Sequence, residues 1–299
     1  MKASIAVLLS GLVLGQTVPY VRAKTDDGAH CQRWPVSTSR GTIHYVQSST
    51  GDPALGSGVF DAVSRSAQTW ETQLQACGNF DLVETGQHSS SRFVGYTQSG
   101  QNENLVLFRL QLCSAVTPPG DPCLAAGTCG NVHDCWDHGS AVVALTTSTY
   151  VISSGELLDG DVEINAATAT PTIVDSPPCP MGSISTSCVA NDVQNAVTHE
   201  LGHFLGLAHS PDPSSTMYAT EPVGETSKRT LDSGSKQFIC DVYPSGQTSK
   251  DCSSSDGGGS STTSGCSSAG DPAVLGPGIL LLLLTLVRRR SDASWQGEA

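Results

Sequence analysis

The sequence predicts an α+β fold: one domain in which helices pack against a sheet. Three observations predict it. Apolar residues recur at helical spacing near residues 60–74, short runs alternate apolar and polar as strands do, and a second helical stretch near residue 195 carries histidine and glutamate at fixed intervals. With the two ends set aside, about 220 residues remain, enough for a single unit with a substantial core.

Residues 1–23 read as an export signal. Lys2 supplies a positive start, residues 5–14 form a short apolar run, and Val21-Arg22-Ala23 leads to a cut after Ala23. The apolar run is too short to serve as an uncleaved membrane anchor. Residues 42–46 form a first strand, with Ile43 and Tyr45 alternating with their neighbours. Phe60, Val63, Ala67, Trp70 and Leu74 mark an amphipathic helix that ends near Gly78. Residues 105–112 and 142–147 are further strands. Asn191 and Asp192 are natural caps for the second helix, whose Val193, Ala196, Val197, Leu201 and Leu205 bury one face until Gly206 ends the pattern.

That second helix carries the most informative segment, His199-Glu200-Leu201-Gly202-His203-Phe204-Leu205-Gly206-Leu207-Ala208-His209. His199 and His203 stand one turn apart on one face, so both can offer a ring nitrogen to a single ion. Gly206 permits the sharp turn that brings in His209 as a third ligand. Three protein ligands leave one position for water, the arrangement of a catalytic rather than a structural zinc, and Glu200 beside the metal can take and return a proton. A surface helix with histidines spaced by chance is the bland alternative. A chance match to the five fixed positions is on the order of one in 10^5 at ordinary residue frequencies, which favours the zinc site.

The pattern HExxHxxGxxH followed by a methionine turn resembles the metzincin metalloproteases. Met217 lies in the stretch SPDPSSTMY that follows His209, and Ser210 directly after the third histidine resembles the bacterial matrixin branch. The resemblance implies a twisted, mostly parallel sheet, an active-site helix, and an apolar base beneath the zinc ligands formed by Met217. A core methionine filling a gap would be almost the same physical statement. It implies that residues 161–165 form the short strand ahead of the active-site helix and that 237–244 form the closing helix with its terminal Tyr-Pro. Tyr218 would line the substrate pocket or be an ordinary half-buried tyrosine. Many members also carry a propeptide cysteine that occupies the zinc; the few residues between Ala23 and Cys31 lead us to expect no such switch.

Eleven cysteines suggest an oxidising compartment. Cys31, Cys77, Cys113, Cys123, Cys129, Cys135, Cys179, Cys188, Cys240 and Cys252 suffice for five disulfides and leave Cys266 over; the pairing is not legible. Residues 118–138, dense in cysteine, proline and glycine, read as a stapled surface loop. Its His133, Asp134 and His138 either bind a second zinc or are solvated, with the solvated loop preferred. Asp159, Asp161 and Glu163 are candidate calcium ligands, against an exposed acidic turn and strand.

Residues 253–265 are a Ser/Gly-rich spacer that cannot bury a core. Residues 266–299 follow, with Cys266, an apolar run over 273–287 containing Pro277, and Arg288-Arg289-Arg290. This arrangement resembles the myxobacterial C-terminal sorting signal, which implies processing at Cys266, transient membrane association through the tail, and retention at the outer cell surface. The tail departs from that pattern by continuing past the arginines to Ala299. A formal net charge of -13 argues against a nucleic-acid partner and favours solubility.

The expectation is therefore a secreted, monomeric zinc endopeptidase acting on protein or peptide, with residues 24–252 as its protease domain. His199, His203 and His209 would hold the metal and Glu200 would act as general base and acid. The alternatives are a catalytically idle surface adhesion protein that keeps the fold, and a disulfide-rich coat protein with an incidental zinc.

Overall fold

The structure, a computed structural model, describes residues 18–252 and the backbone of two short strands, Gly265–Ala269 and Arg289–Arg290. Five strands make the main sheet: β1 (Gly41–Gln47), β2 (Phe80–Glu84), β3 (Leu105–Arg109), β4 (Val142–Val151) and β5 (Leu157–Asn165). Their spatial order is β2-β1-β3-β5-β4. All neighbours are parallel except β4, which runs antiparallel to β5 at the edge. Beyond β4 the backbone of Gly265–Ala269 continues the sheet, antiparallel to β4 and parallel to Thr220–Pro222.

Helix α1 (Gly58–Cys77) lies against the sheet through Val59, Ala62, Val63, Ala67, Trp70 and Leu74, the face its apolar spacing predicts. Helix α2 (Val193–Phe204) packs on α1, and Trp70 Nε1 donates to Thr198 O at 2.8 Å. The other side of α2 meets β5 closely: a Cβ on Gly160 would stand 2.6 Å from the Phe204 ring. Helix α3 (Ser233–Val242) closes the domain. Its following residue, Tyr243, is fully buried and donates from its hydroxyl to Leu205 O at 2.6 Å, so the closing helix is fastened to the end of α2.

Strand β2 was not expected. It begins two residues after Gly78, pairs parallel with β1, and buries Phe80 and Leu82 while Val83 and Glu84 are less covered. Strand β3 stops at Arg109, short of residue 112, because the chain there turns into a cystine-stapled module. That module is more built than a surface loop. Three short helical turns, Cys113–Val116, Pro122–Ala126 and Cys129–His133, surround a small core of four buried cysteines paired Cys113–Cys135 and Cys123–Cys129. The other bridges are Cys31–Cys252, Cys77–Cys240 and Cys179–Cys188, so the ten cysteines that could pair do so.

The boundary expected at Ala23 falls inside a segment that the fold uses. Val21–Arg22 pairs antiparallel with Leu207–Ala208, Tyr20 packs edge-on against Phe238, and Arg22 donates to Lys250 O at 2.7 Å. Removing residues 18–23 would therefore strip a strand from beside α2. Residues 1–17, the spacer 253–264, the Cys266 side chain, the apolar run 273–287 and the arginine side chains lie outside the described residues. Among the described residues no helix is long and apolar enough to cross a membrane.

Candidate metal centre

Helix α2 is capped by Asp192, whose carboxylate accepts from Asn195 N at 2.8 Å. The cap fixes where the helix starts and hence which face its histidines present. His199 and His203 follow at one-turn spacing, and their Nε2 atoms lie 3.1 Å apart. After Phe204 the chain turns at Gly206, whose φ of 102° favours glycine. A side chain there would also collide with Gln32 O at 2.3 Å. The turn brings His209 back, and one ligand atom from each of the three histidines lies within 4.8 Å of the others.

The ring orientations are set by the backbone. His199 Nδ1 faces Thr216 O at 2.7 Å and His203 Nδ1 faces Leu207 O at 2.8 Å, so each Nδ1 carries the proton and each Nε2 keeps its lone pair. His209 Nε2 is buried without a hydrogen-bond partner. Burial lowers the pKa of all three, His203 to about 3 and His209 to about 4; neighbouring imidazoles and Lys228 push His199 down further. Three neutral imidazoles with converging lone pairs and one orphaned buried nitrogen suit a borderline-soft divalent cation such as zinc.

Glu200 is fully buried beside this trio, and its Oε2 accepts from Thr146 Oγ1 at 2.7 Å. Thr146 belongs to the edge strand β4, and sequence reasoning missed it: a threonine within a strand carries no signal of what it faces across the fold. Met217 is buried directly beneath α2, where a Cβ on Gly202 would stand 2.2 Å from its Sδ. Ser210 N donates to Met217 O at 2.8 Å, which ties the segment after His209 to the methionine. Tyr218 is half-buried.

The other expected ligand sets do not assemble. His133 pairs with Asp121 at 3.0 Å, Asp134 accepts from Arg92 and Arg109, and His138 faces Glu163 at 3.5 Å. The three are thus held by separate partners and do not form a second zinc site. Asp121, Cys123 and His133 do cluster, but Cys123 is spent in its disulfide with Cys129 and offers no thiolate. The calcium set fails for a similar reason. Alternation along β5 puts Asp159, Asp161 and Glu163 on one face, yet Glu163 accepts from Arg109 Nε at 2.6 Å and the two oxygens of Asp161 accept from Gly95 N and Leu105 N. Asp161 and Glu163 are thus committed within the fold, and Asp159 is paired with Asp161.

The family model described as Matrixin matches residues 60–244, a span from α1 to just past α3. No curated protein matches the chain.

Proposed function

The chain belongs to the matrixin family, and on that premise we propose that it is a zinc-dependent endopeptidase whose metal is held by His199, His203 and His209. The observation that carries this reading is the convergence of three buried, neutral imidazoles beside a carboxylate that is itself anchored. Zinc bound there supplies Lewis acidity toward the scissile carbonyl and toward a water. Every other part of the chemistry falls to the chain. Glu200 takes the proton of the attacking water and returns it to the leaving amine. Thr146 positions that carboxylate, and the carbonyls of Thr216 and Leu207 hold two of the rings in the ligating tautomer. Met217 fills the space beneath α2 and prevents the helix from sinking.

The substrate lies extended along the outer edge of β4, in the place that the backbone of Gly265–Ala269 takes in this structure, adding main-chain hydrogen bonds to the sheet. Antiparallel pairing of β4 with the backbone of Gly265–Ala269 supports this, because it is the geometry such a peptide would adopt. Digestion of a diverse peptide mixture, with and without chelator, tests the proposal. Chelator-sensitive cleavage that zinc restores is expected; cleavage that chelator leaves untouched overturns it.

We further propose export and retention at the outer surface. Five disulfides support an oxidising destination. Cys266, the cysteine left over, is the proposed processing position for the tail. Mass spectrometry of the C-terminus of surface-associated protein tests this: a truncated tail is expected, and an intact Ala299 rules it out. The structured role of residues 18–23 moves the proposed leader cut to before Val18, which N-terminal sequencing of exported protein would check.

A further inference from the structure

One turn before His199, on the same face of α2, the side chain of Asn195 stands beside Glu221 in the segment Thr220–Pro222. Glu221 in that segment is fully buried between two exposed neighbours, so its carboxylate points inward. Both of its oxygens lack a hydrogen-bond partner, as does Asn195 Nδ2, although that amide stands near enough to favour the charged carboxylate. Three buried polar atoms without partners in one place are rare in a folded protein. Burial raises the Glu221 pKa to about 8, more than the nearby Lys228 charge offsets.

The nearby cations are already committed. Lys228 Nζ donates to Thr220 O at 2.7 Å and pairs with Glu225 at 3.3 Å. Arg229 is divided between Asp192 at 2.6 Å and Asp175 at 2.7 Å. Lys228 stands near enough to favour the Glu221 carboxylate, yet its ammonium is engaged by Thr220 O and Glu225 and makes no direct ion pair with Glu221. The cluster also adjoins the metal centre, since Lys228 lies close enough to His199 and His209 to depress both imidazoles.

We propose that Glu221 is a specificity-determining residue: its carboxylate receives the basic side chain, lysine or arginine, of a substrate residue flanking the scissile bond. Nothing covalent is involved. The incoming ammonium or guanidinium supplies the direct ion pair that Lys228, engaged elsewhere, does not make, and Asn195 can hydrogen-bond the second carboxylate oxygen. A leucine in the same place would leave the acid buried and unpaired, which is the condition under which a site rejects a ligand most strongly.

The inference rests on the zinc-endopeptidase reading, and its test separates the two. Two peptide hydroxamates, identical except for lysine or leucine in the residue beside the metal-binding group, are titrated calorimetrically into the zinc-loaded protein and into Glu221→Gln and Glu221→Leu. Zinc content and circular dichroism establish that each variant is folded. The parent should bind the lysine compound about tenfold or more tightly than the leucine compound, and both variants should bring that ratio near one or invert it. In the peptide digest, lysine and arginine should be enriched at one position flanking the cut. Equal binding of the two compounds by the parent overturns the assignment of Glu221 while leaving the metal centre standing, and so does a preference that Glu221→Gln retains. Failure of both compounds to bind any form overturns the metal reading, and the assignment with it.

Discussion

Thr146 Oγ1 stands 2.7 Å from Glu200 Oε2, so a hydroxyl of the edge strand holds the carboxylate of the metal-site helix. The same hydroxyl lies 3.0 Å from Glu200 O. Strand β4 is thus fastened to α2 at the residue assigned the proton transfer, and the strand proposed to align the substrate also aligns the base.

Glu200→Ala should keep zinc and lose peptide hydrolysis by about 10^2-fold to 10^4-fold, because Glu200 handles protons without ligating the metal. Thr146→Val should lower kcat by roughly tenfold with little change in KM, since it frees the carboxylate without removing it. Metal analysis alongside steady-state kinetics checks both. Near-parental cleavage by Glu200→Ala would remove it from the mechanism; zinc retained with no cleavage by either the parent or the variants would favour a binding protein on this fold.

His203→Ala should lose both the metal and the activity. Two imidazoles make a poor zinc site compared with three, and the site's folding contribution goes with the ion. Atomic absorption after dialysis, together with a melting curve with and without added zinc, reads the result. A variant that still carries one tightly held zinc would contradict the ligand set.

Gly202→Ala should destabilise the domain, because the added methyl group would lie 2.2 Å from Met217 Sδ and 3.2 Å from Trp70. Both neighbours are buried, so the cost is that of overpacking, about 1–3 kcal/mol. In a domain of this size each kcal/mol moves Tm by roughly 2–4 °C. Differential scanning calorimetry should show the drop; an unchanged Tm would mean that Met217 moves aside freely.

The pair Asp159 and Asp161 sets a pH dependence. Burial raises Asp159 to about 6, and burial together with the Asp159 charge raises Asp161. The folded state therefore holds protons that the unfolded chain, with an ordinary carboxyl pKa of 3.8, has released. Stability from Asp159 is fully present below that ordinary value and falls as pH rises through about 6, and Asp161 acts in the same direction. Asp159→Asn should raise Tm at pH 7.5 by removing a loss on the order of 2–3 kcal/mol, and should flatten the stability curve between about pH 4 and 6. Parallel melts of parent and variant across that range decide it. Equal slopes would remove Asp159 from the account.

What was legible in the sequence was local. The helical faces of Phe60 to Leu74 and Val193 to Leu205 follow from a period of 3.6, the cap at Asp192 and turn at Gly206 follow from backbone chemistry, and these local features bring the three histidines together. What was missed joins distant segments. Thr146 reaches Glu200 across 54 residues, and the pairings Cys31–Cys252 and Cys77–Cys240 span 221 and 163. Periodicity reveals which face of an element is buried, never what it is buried against. The acids of β5 failed as calcium ligands for that reason: Arg109 and the amides of Gly95 and Leu105 come from other parts of the chain. Glu221 was invisible because a lone glutamate in a polar stretch looks solvated until the fold encloses it.

The bridge from Cys31 to Cys252 also decides how the domain carries load. If the chain beyond Cys252 is a leash to a surface, a tug that frees Gly265–Ala269 from β4 next meets that cystine and is shared at once with the opposite end of the domain. Helix α3 lies inside the closed loop, so tension cannot peel it away and unzip the molecule from its tail. The metal centre sits within the same loop and stays out of the line of pull, which lets a tethered hydrolase draw on its substrate without opening itself.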